Sequence, residues 1–110
     1  MKQRDLLLVP FPFSNQSGKK IRPVIVVSND EFNLHSDDLI VVGVTSNISK
    51  DRYTVLLEDK DLEEGKLLDI CCIKVENILK LDKRLIIKKI GKINANKFSE
   101  IISIFDKIIK

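Results

Sequence analysis

Short apolar runs alternate with polar turns along most of the chain and predict a series of β-strands. Their β-branched content and spacing of roughly 10 to 15 residues favour a small barrel or sandwich over alternating strands and helices. The six predicted strands cover residues 6–9, 23–28, 39–45, 53–57, 68–75 and 85–93. The third is apolar at nearly every position, so we expect it to be buried on both faces.

Polar and turn-forming residues mark the connections between these strands. Pro10 and Pro12 end the first strand, and a polar loop follows over residues 14–20. Residues 29–38 are predicted to form a loop, and an acidic turn region ends at Gly65. Gly91, inside the sixth run, is expected to mark a bulge or bend.

The apolar period changes from two to 3.6 in the last segment, which predicts one amphipathic helix over about 94–109. Asn94 is a suitable N-cap. The expected stripe comprises Phe98, Ile101, Ile102, Phe105, Ile108 and Ile109. Ile104 lies outside it and indicates either a broader buried face or a partner surface.

Composition predicts one globular domain, residues 1–110, because 44% of the residues are hydrophobic and 32% are charged. The chain shows neither an apolar run of membrane-spanning length nor a signal-peptide pattern, so we expect a cytoplasmic protein and no membrane partner. The net charge of +3 permits an acidic partner. Basic residues concentrate in 80–92 and acidic residues in 58–64, which would either steer a polyanion to one face or form two solvated edges.

The cysteines and the histidine do not indicate a metal site. Cys71 and Cys72 are adjacent, which disfavours a disulfide between them and provides no metal-ligand spacing. We expect both to be reduced, at least one of them facing inward, and no metal or other cofactor.

Arg22 is the first candidate for chemistry, because it stands at the mouth of an apolar strand directly after the polar loop. A guanidinium is planar, permanently charged and offers forked donors that match a phosphate. The alternative is a solvated charge at a strand end.

The chain resembles the MazF/PemK-like toxins of bacterial toxin–antitoxin systems, and the resemblance covers nearly its whole length. It is carried by Leu8-Val9-Pro10-Phe11-Pro12-Phe13, by Arg22-Pro23-Val24-Ile25-Val26-Val27-Ser28, by Val44-Thr45-Ser46, and by Leu81-Asp82-Lys83 with the strand that follows. The resemblance implies an SH3-like small β-barrel with a C-terminal helix, mainly β in class. It further implies a homodimer that acts as a metal-independent, sequence-selective endoribonuclease on single-stranded RNA and is neutralised by a cognate antitoxin protein.

The resemblance assigns the catalytic roles to Arg22 and Thr45. Cleavage of this kind moves the 2′-OH onto phosphorus and leaves a 2′,3′-cyclic phosphate and a 5′-OH. Arg22 would stabilise the extra negative charge, and the Thr45 hydroxyl would hold an oxygen in line, with Ser46 as a supporting donor. His35 is the only histidine, which excludes a paired-histidine mechanism, and we expect it to have a surface role. The general base is not identified.

The polar loop has groups suited to binding RNA: an aromatic face, amides and two lysines. The residues concerned are Phe13, Ser14, Asn15, Gln16, Lys19 and Lys20. The alternative is a hairpin tip without a ligand. Phe11 is expected to plug the barrel mouth.

Several positions depart from the family pattern. Arg4 stands where relatives often have glycine, Cys71 stands for a serine and Lys74 for an arginine. A lysine keeps the charge but loses forked recognition, so we expect an altered base preference or weaker activity. Lys74, Glu76 and Asn77 complete the expected RNA-binding set.

Two other functions remain open at this stage. One is a non-enzymatic, CcdB-like gyrase poison, and the other is a catalytically decayed barrel that binds RNA or an antitoxin. Arg22 followed by Pro23, together with Thr45, favours the ribonuclease.

Overall fold

A computed structural model describes residues 1–11, 20–49 and 51–110, which form seven strands and two helices. In chain order these are β1 (Asp5–Phe11), β2 (Lys20–Val26), α1 (Asp30–His35), β3 (Asp38–Thr45), β4 (Thr54–Leu57), β5 (Leu62–Gly65), β6 (Cys71–Asp82), β7 (Lys88–Ile93) and α2 (Ala95–Ile109). Single 3₁₀ turns occupy Asp59–Asp61 and Lys83–Leu85.

The strands form one antiparallel sheet in the order β4-β6-β3-β2-β1-β7-β5. The edge strands β4 and β5 are nevertheless joined by only the few residues between Leu57 and Leu62. Five residues reach at most about 18 Å, whereas six strand spacings in a flat sheet would span about 29 Å. The sheet must therefore curl into a half-barrel. This confirms the expected fold, which is mainly β and barrel-like with a C-terminal helix.

Both faces of the sheet carry a buried apolar cluster. Val42 and Val44 of β3 belong to the cluster beneath α2, while Leu39 and Val41 belong to the opposite one. The prediction that the third strand is buried on both faces is thus confirmed.

Helix α2 begins as predicted but presents a different face to the sheet. The Asn94 side chain accepts a hydrogen bond from the Lys97 amide at 2.8 Å, which caps the helix. Ile104 packs on the core, whereas Ile102 and Ile109 are 39% and 61% exposed, so the predicted stripe is wrong at these positions. At 100° per residue, the apolar side chains of α2 span an arc of about 160° around the helix axis. The sheet covers only part of this arc, on the side of Ile104.

Two elements differ from the prediction because their residues lack an apolar period. Helix α1 occupies the predicted loop and is capped by Asn29, which accepts from the Phe32 amide at 2.8 Å. Strand β5 occupies the predicted acidic turn, and three of its four residues are exposed. Strand β6 begins later than predicted and continues to Asp82, and β7 begins at Lys88 because a 3₁₀ turn precedes it.

The pairing of β5 with β7 also joins the acidic and basic segments. Glu64 lies 3.0 Å from Lys89, so part of the positive charge is compensated within the sheet. The register beside Gly91 shifts so that Leu6 pairs with Gly91 and Leu7 with Lys89, which confirms the expected irregularity. A Cβ atom at Gly91 would lie 2.7 Å from the Glu64 carbonyl oxygen.

The chain enters β1 through a left-handed residue. Arg4 has a φ of 80°, a region that favours glycine. Its guanidinium donates to the Ile93 carbonyl at 2.8 Å and to Glu63 at 3.0 Å, which ties this turn to β7 and β5.

Cys71 and Cys72 are free, and Cys72 is fully buried, as predicted. Burial raises the pKa of the Cys71 thiol. Of the described helices, neither is long and apolar enough to cross a membrane.

Candidate functional site

Arg22 and Thr45 lie on neighbouring antiparallel strands and on the same face of the sheet. The β2–β3 ladder pairs Val24 with Gly43. Arg22 lies two residues before Val24, and Thr45 lies two residues after Gly43. Because successive side chains of a strand alternate between the two faces of the sheet, Arg22 and Thr45 lie on the same face as that pair. The register, continued by two residues, sets them opposite one another. Gly43 adds no side chain to this face.

Thr45 is held in a defined orientation at the end of β3. It is 9% exposed, and its Oγ1 accepts a hydrogen bond from the Asn47 amide at 3.1 Å. With one lone pair of Oγ1 occupied, the hydroxyl hydrogen is left to donate to another group. Arg22 is half-buried on the rigid strand β2. Asn47 was not among the predicted site residues, because nothing in its local sequence points to this contact.

Strand β6 continues the same face on the other side of β3. Thr45 pairs with Cys72, and Gly43 pairs with Lys74. Lys74 therefore shares the face of Thr45, one strand away from it. We call Arg22, Thr45 and Lys74, with the backbone of Gly43 between them, the strand-end face.

A wide bulge in β6 begins directly after Lys74. The next ladder pair is Val42 with Ile78, so Val75, Glu76 and Asn77 have no partner on β3. Glu76 is exposed, and its Oε2 lies 4.0 Å from the Lys74 ammonium. Asn77 is half-buried within the bulge, three residues after Lys74. Glu76 is thus brought to the strand-end face, whereas nothing places the Asn77 side chain there.

Asp51 is a second residue that sequence reasoning missed. Its Oδ2 accepts a hydrogen bond from the Lys74 Nζ at 3.1 Å. Hydrogen bonds from Lys74 and then Ser49 lower the pKa of Asp51, and the bond to Asp51 raises the pKa of Lys74. Asp51 and Lys74 are 23 residues apart, and only the pairing of β4 with β6 brings them together.

The other predicted site residues are distributed as follows. Ser46 is exposed directly after Thr45. His35 is exposed on α1, which follows the end of β2 remote from Arg22, and its ring Nδ1 lies 3.1 Å from the Glu31 carbonyl oxygen. Lys20 opens β2 opposite Phe11. Five predicted binding residues lie outside the described residues: Phe13, Ser14, Asn15, Gln16 and Lys19.

The curled sheet with its C-terminal helix is the fold of a class of bacterial toxins. The model of the PemK-like, MazF-like toxins of type II toxin–antitoxin systems matches residues 2–109. The chain therefore belongs to this family, and the predicted membership is confirmed.

Individual relatives agree with this membership. The chain is 30% identical over 109 residues to the Endoribonuclease MazF of Staphylococcus saprophyticus, which covers 96% of this chain and 88% of the relative. The expected class of enzyme, an endoribonuclease, and the expected antitoxin partner are confirmed at the level of the family.

Solved structures share the fold. MazF (Form-I) from Deinococcus radiodurans superposes with a TM-score of 0.78 at 17% identity, over 99% of this chain and 96% of that chain. The MazE–MazF complex (Form-III) of the same organism gives 0.77 at 17% identity, over 99% and 95%. The Mycobacterium tuberculosis toxin MazF-mt6 gives 0.72 at 19% identity, over 94% and 97%.

Proposed function

We propose that this toxin is a metal-independent, sequence-selective endoribonuclease that cleaves single-stranded mRNA. The observation that carries the proposal is the placement of Arg22 and Thr45 on one face of two adjacent strands.

The proposed reaction is an internal transfer at phosphorus. The 2′ oxygen forms a bond to phosphorus, the bond from phosphorus to the 5′ oxygen breaks, and the products are a 2′,3′-cyclic phosphate and a 5′-OH. The 2′ proton passes to a base, and the 5′ oxygen takes up a proton. Arg22 donates to the non-bridging oxygens as their charge increases. Thr45, held by the Asn47 amide, donates its hydroxyl hydrogen to the phosphate.

Further residues would bind the RNA beside this centre. Ser46 and Lys20 lie close to Thr45 and Arg22 along the chain, and the loop predicted from the sequence would supply the stacking and amide groups already named. Lys74, Glu76 and Asn77 lie on the strand that pairs with β3.

We also propose a cytoplasmic homodimer that binds a cognate antitoxin. The MazE–MazF complex from Deinococcus radiodurans supports the antitoxin. An exposed apolar region beside α2 supports the dimer: Ile78 and Ile102 are 41% and 39% exposed, close to a pocket of about 80 Å³ lined by Val27, Val42 and Phe105.

The test is cleavage of a long unstructured RNA in EDTA, with the product ends mapped. Arg22→Ala and Thr45→Ala should each slow cleavage by about 10²–10³-fold, the usual cost of losing one donor to a developing oxyanion. Arg84→Ala is the matched control, because Arg84 is exposed and paired with Asp82 at 2.7 Å, outside the strand-end face.

Unchanged thermal unfolding would show that the site variants remain folded. Cleavage at the wild-type rate by either site variant would contradict the assignment of that residue. No cleavage by the wild type, with tight binding to gyrase, would favour the non-enzymatic CcdB-like alternative.

A further inference from the structure

Lys74 is a cation of the strand-end face, and carboxylates beside it compensate its charge. Its ammonium lies 3.1 Å from the Asp51 carboxylate and 4.0 Å from that of Glu76. One positive and two negative charges leave this point with a formal charge of −1. A lysine in this setting attracts a phosphate weakly.

The position of Asp51 is set by the strands that flank Lys74. Thr54 pairs with Lys74 across the β4–β6 ladder. The Thr54 hydroxyl donates to the Asp51 carbonyl oxygen at 2.9 Å, and the Ser49 hydroxyl accepts from the Asp51 amide at 3.3 Å. The Asp51 backbone is thus anchored to the same strand pair that carries Lys74. Its side chain is 60% exposed, so the carboxylate remains accessible to a ligand.

This carboxylate lies beside the proposed reaction centre. Lys74 is two residues from Cys72, the ladder partner of Thr45, which corresponds to a separation of about 7 Å along the strand. The base next to a phosphate held by Arg22 and Thr45 would therefore reach this part of the surface. The low pKa of Asp51 keeps it ionised at neutral pH, so it accepts hydrogen bonds and cannot donate them.

We infer that Asp51, held by Lys74, is a specificity-determining residue that accepts a hydrogen bond from the exocyclic amino group of a base beside the cleaved phosphate. The inference rests on the proposed function, since it concerns the substrate of the same site. Cytosine presents an amino donor where uracil presents a carbonyl acceptor, so the carboxylate attracts the first base and repels the second. Lys74 acts here as a positioning residue for the carboxylate and not as a phosphate contact.

The test is binding of short 2′-O-methyl oligocytidine and oligouridine of equal length, followed by fluorescence anisotropy over a range of salt concentrations. These probes lack the 2′-OH nucleophile, so binding is measured whether or not the protein cleaves RNA. The wild type should bind oligocytidine about fivefold or more tightly than oligouridine, the lower end of discrimination by one base contact. Failure of the proposed function would be seen separately, as absent cleavage of a natural RNA.

Two variants separate the role of the carboxylate from that of the ammonium. Asp51→Asn should remove the preference for cytosine and release Lys74 to bind phosphate, which steepens the salt slope by about 0.7. Lys74→Ala should weaken the preference and leave the salt slope unchanged. Asp51→Glu retains the carboxylate and should keep part of the preference.

Glu64→Gln is the matched control, because Glu64 also pairs with a lysine, at 3.0 Å, but on β5. It should leave both the base preference and the salt slope at wild-type values. An equal preference in the wild type and Asp51→Asn would overturn the inference. A salt slope that falls by about 0.7 in Lys74→Ala would also overturn it, because it would make Lys74 a phosphate contact.

Discussion

Lys74 and Lys89 are each flanked by two carboxylates, yet the two clusters are built differently. Lys89 lies 3.0 Å from Glu64 and 3.3 Å from Asp5, and Asp5 is only 2% exposed. Lys74 lies between Asp51 and Glu76, whose side chains are 60% and 39% exposed. In the Lys89 cluster one carboxylate, that of Asp5, is buried, whereas in the Lys74 cluster both carboxylates are accessible to solvent.

The same three charges therefore serve stability at Lys89 and, in our proposal, binding at Lys74. A buried carboxylate without its partner is costly, so the Lys89 cluster joins β1, β5 and β7. An exposed ion pair contributes little to folding because water screens it. The Lys74 cluster therefore has little structural value, which is consistent with a role in recognition.

The largest expected effect comes from breaking the buried cluster. Lys89→Ala should lower the free energy of unfolding by about 2 kcal/mol, because, among the residues that the structure describes, Asp5 then keeps just the hydrogen bond from the Lys2 amide. Lys74→Ala should change it by about 0.5 kcal/mol or less. Urea unfolding of both variants measures the difference. Equal losses of stability would show that the clusters do not differ in this way.

A smaller effect is expected at Arg4, the residue before Asp5. Arg4→Ala loses the hydrogen bonds to Ile93 and Glu63 and keeps the unfavourable positive φ. Arg4→Gly loses the same bonds but removes the strain, so it should be more stable than Arg4→Ala by about 1 kcal/mol. Thermal unfolding of the two variants measures this difference. If alanine proves as stable as glycine, the left-handed backbone at this position carries no strain.

The smallest effect is expected at Asp82, which forms an exposed pair with Arg84 and caps the 3₁₀ turn at Lys83–Leu85. Hydrogen bonds from the Arg84 side chain and amide lower the pKa of Asp82 from 3.8 to about 2. A carboxyl whose pKa is lower in the folded state adds stability above its unfolded pKa and loses it as the pH falls through the folded value. Asp82→Asn should therefore be slightly destabilising at pH 7, and the difference should shrink as the pH falls through about 2. A difference that does not shrink over this range would assign the effect to something other than the charge.

The sequence was sufficient for the elements whose apolar residues follow a period. Strand β3 and the cap at Asn94 are examples, because continuous burial and a capping side chain are both local signals. Helix α1 and strand β5 could not be predicted in this way. Their stability depends on partners distant in the sequence, such as Lys83, whose ammonium donates to the Asn33 carbonyl oxygen of α1.

The candidate site was predictable only in part, for a similar reason. Arg22 and Thr45 came from the resemblance to a family, and the strand register then set them on one face. Asp51 has no motif, and the β4–β6 pairing alone brings it to Lys74. Long-range pairing of this kind leaves no trace in the local sequence.

The order of strands has a consequence for how the toxin is made. Strand β1 pairs with β7, and residues 98–108 of α2 complete the cluster beneath that helix. A ribosome must therefore synthesise all seven strands before β1 acquires its second neighbour. During most of that synthesis the nascent toxin carries an unfinished sheet.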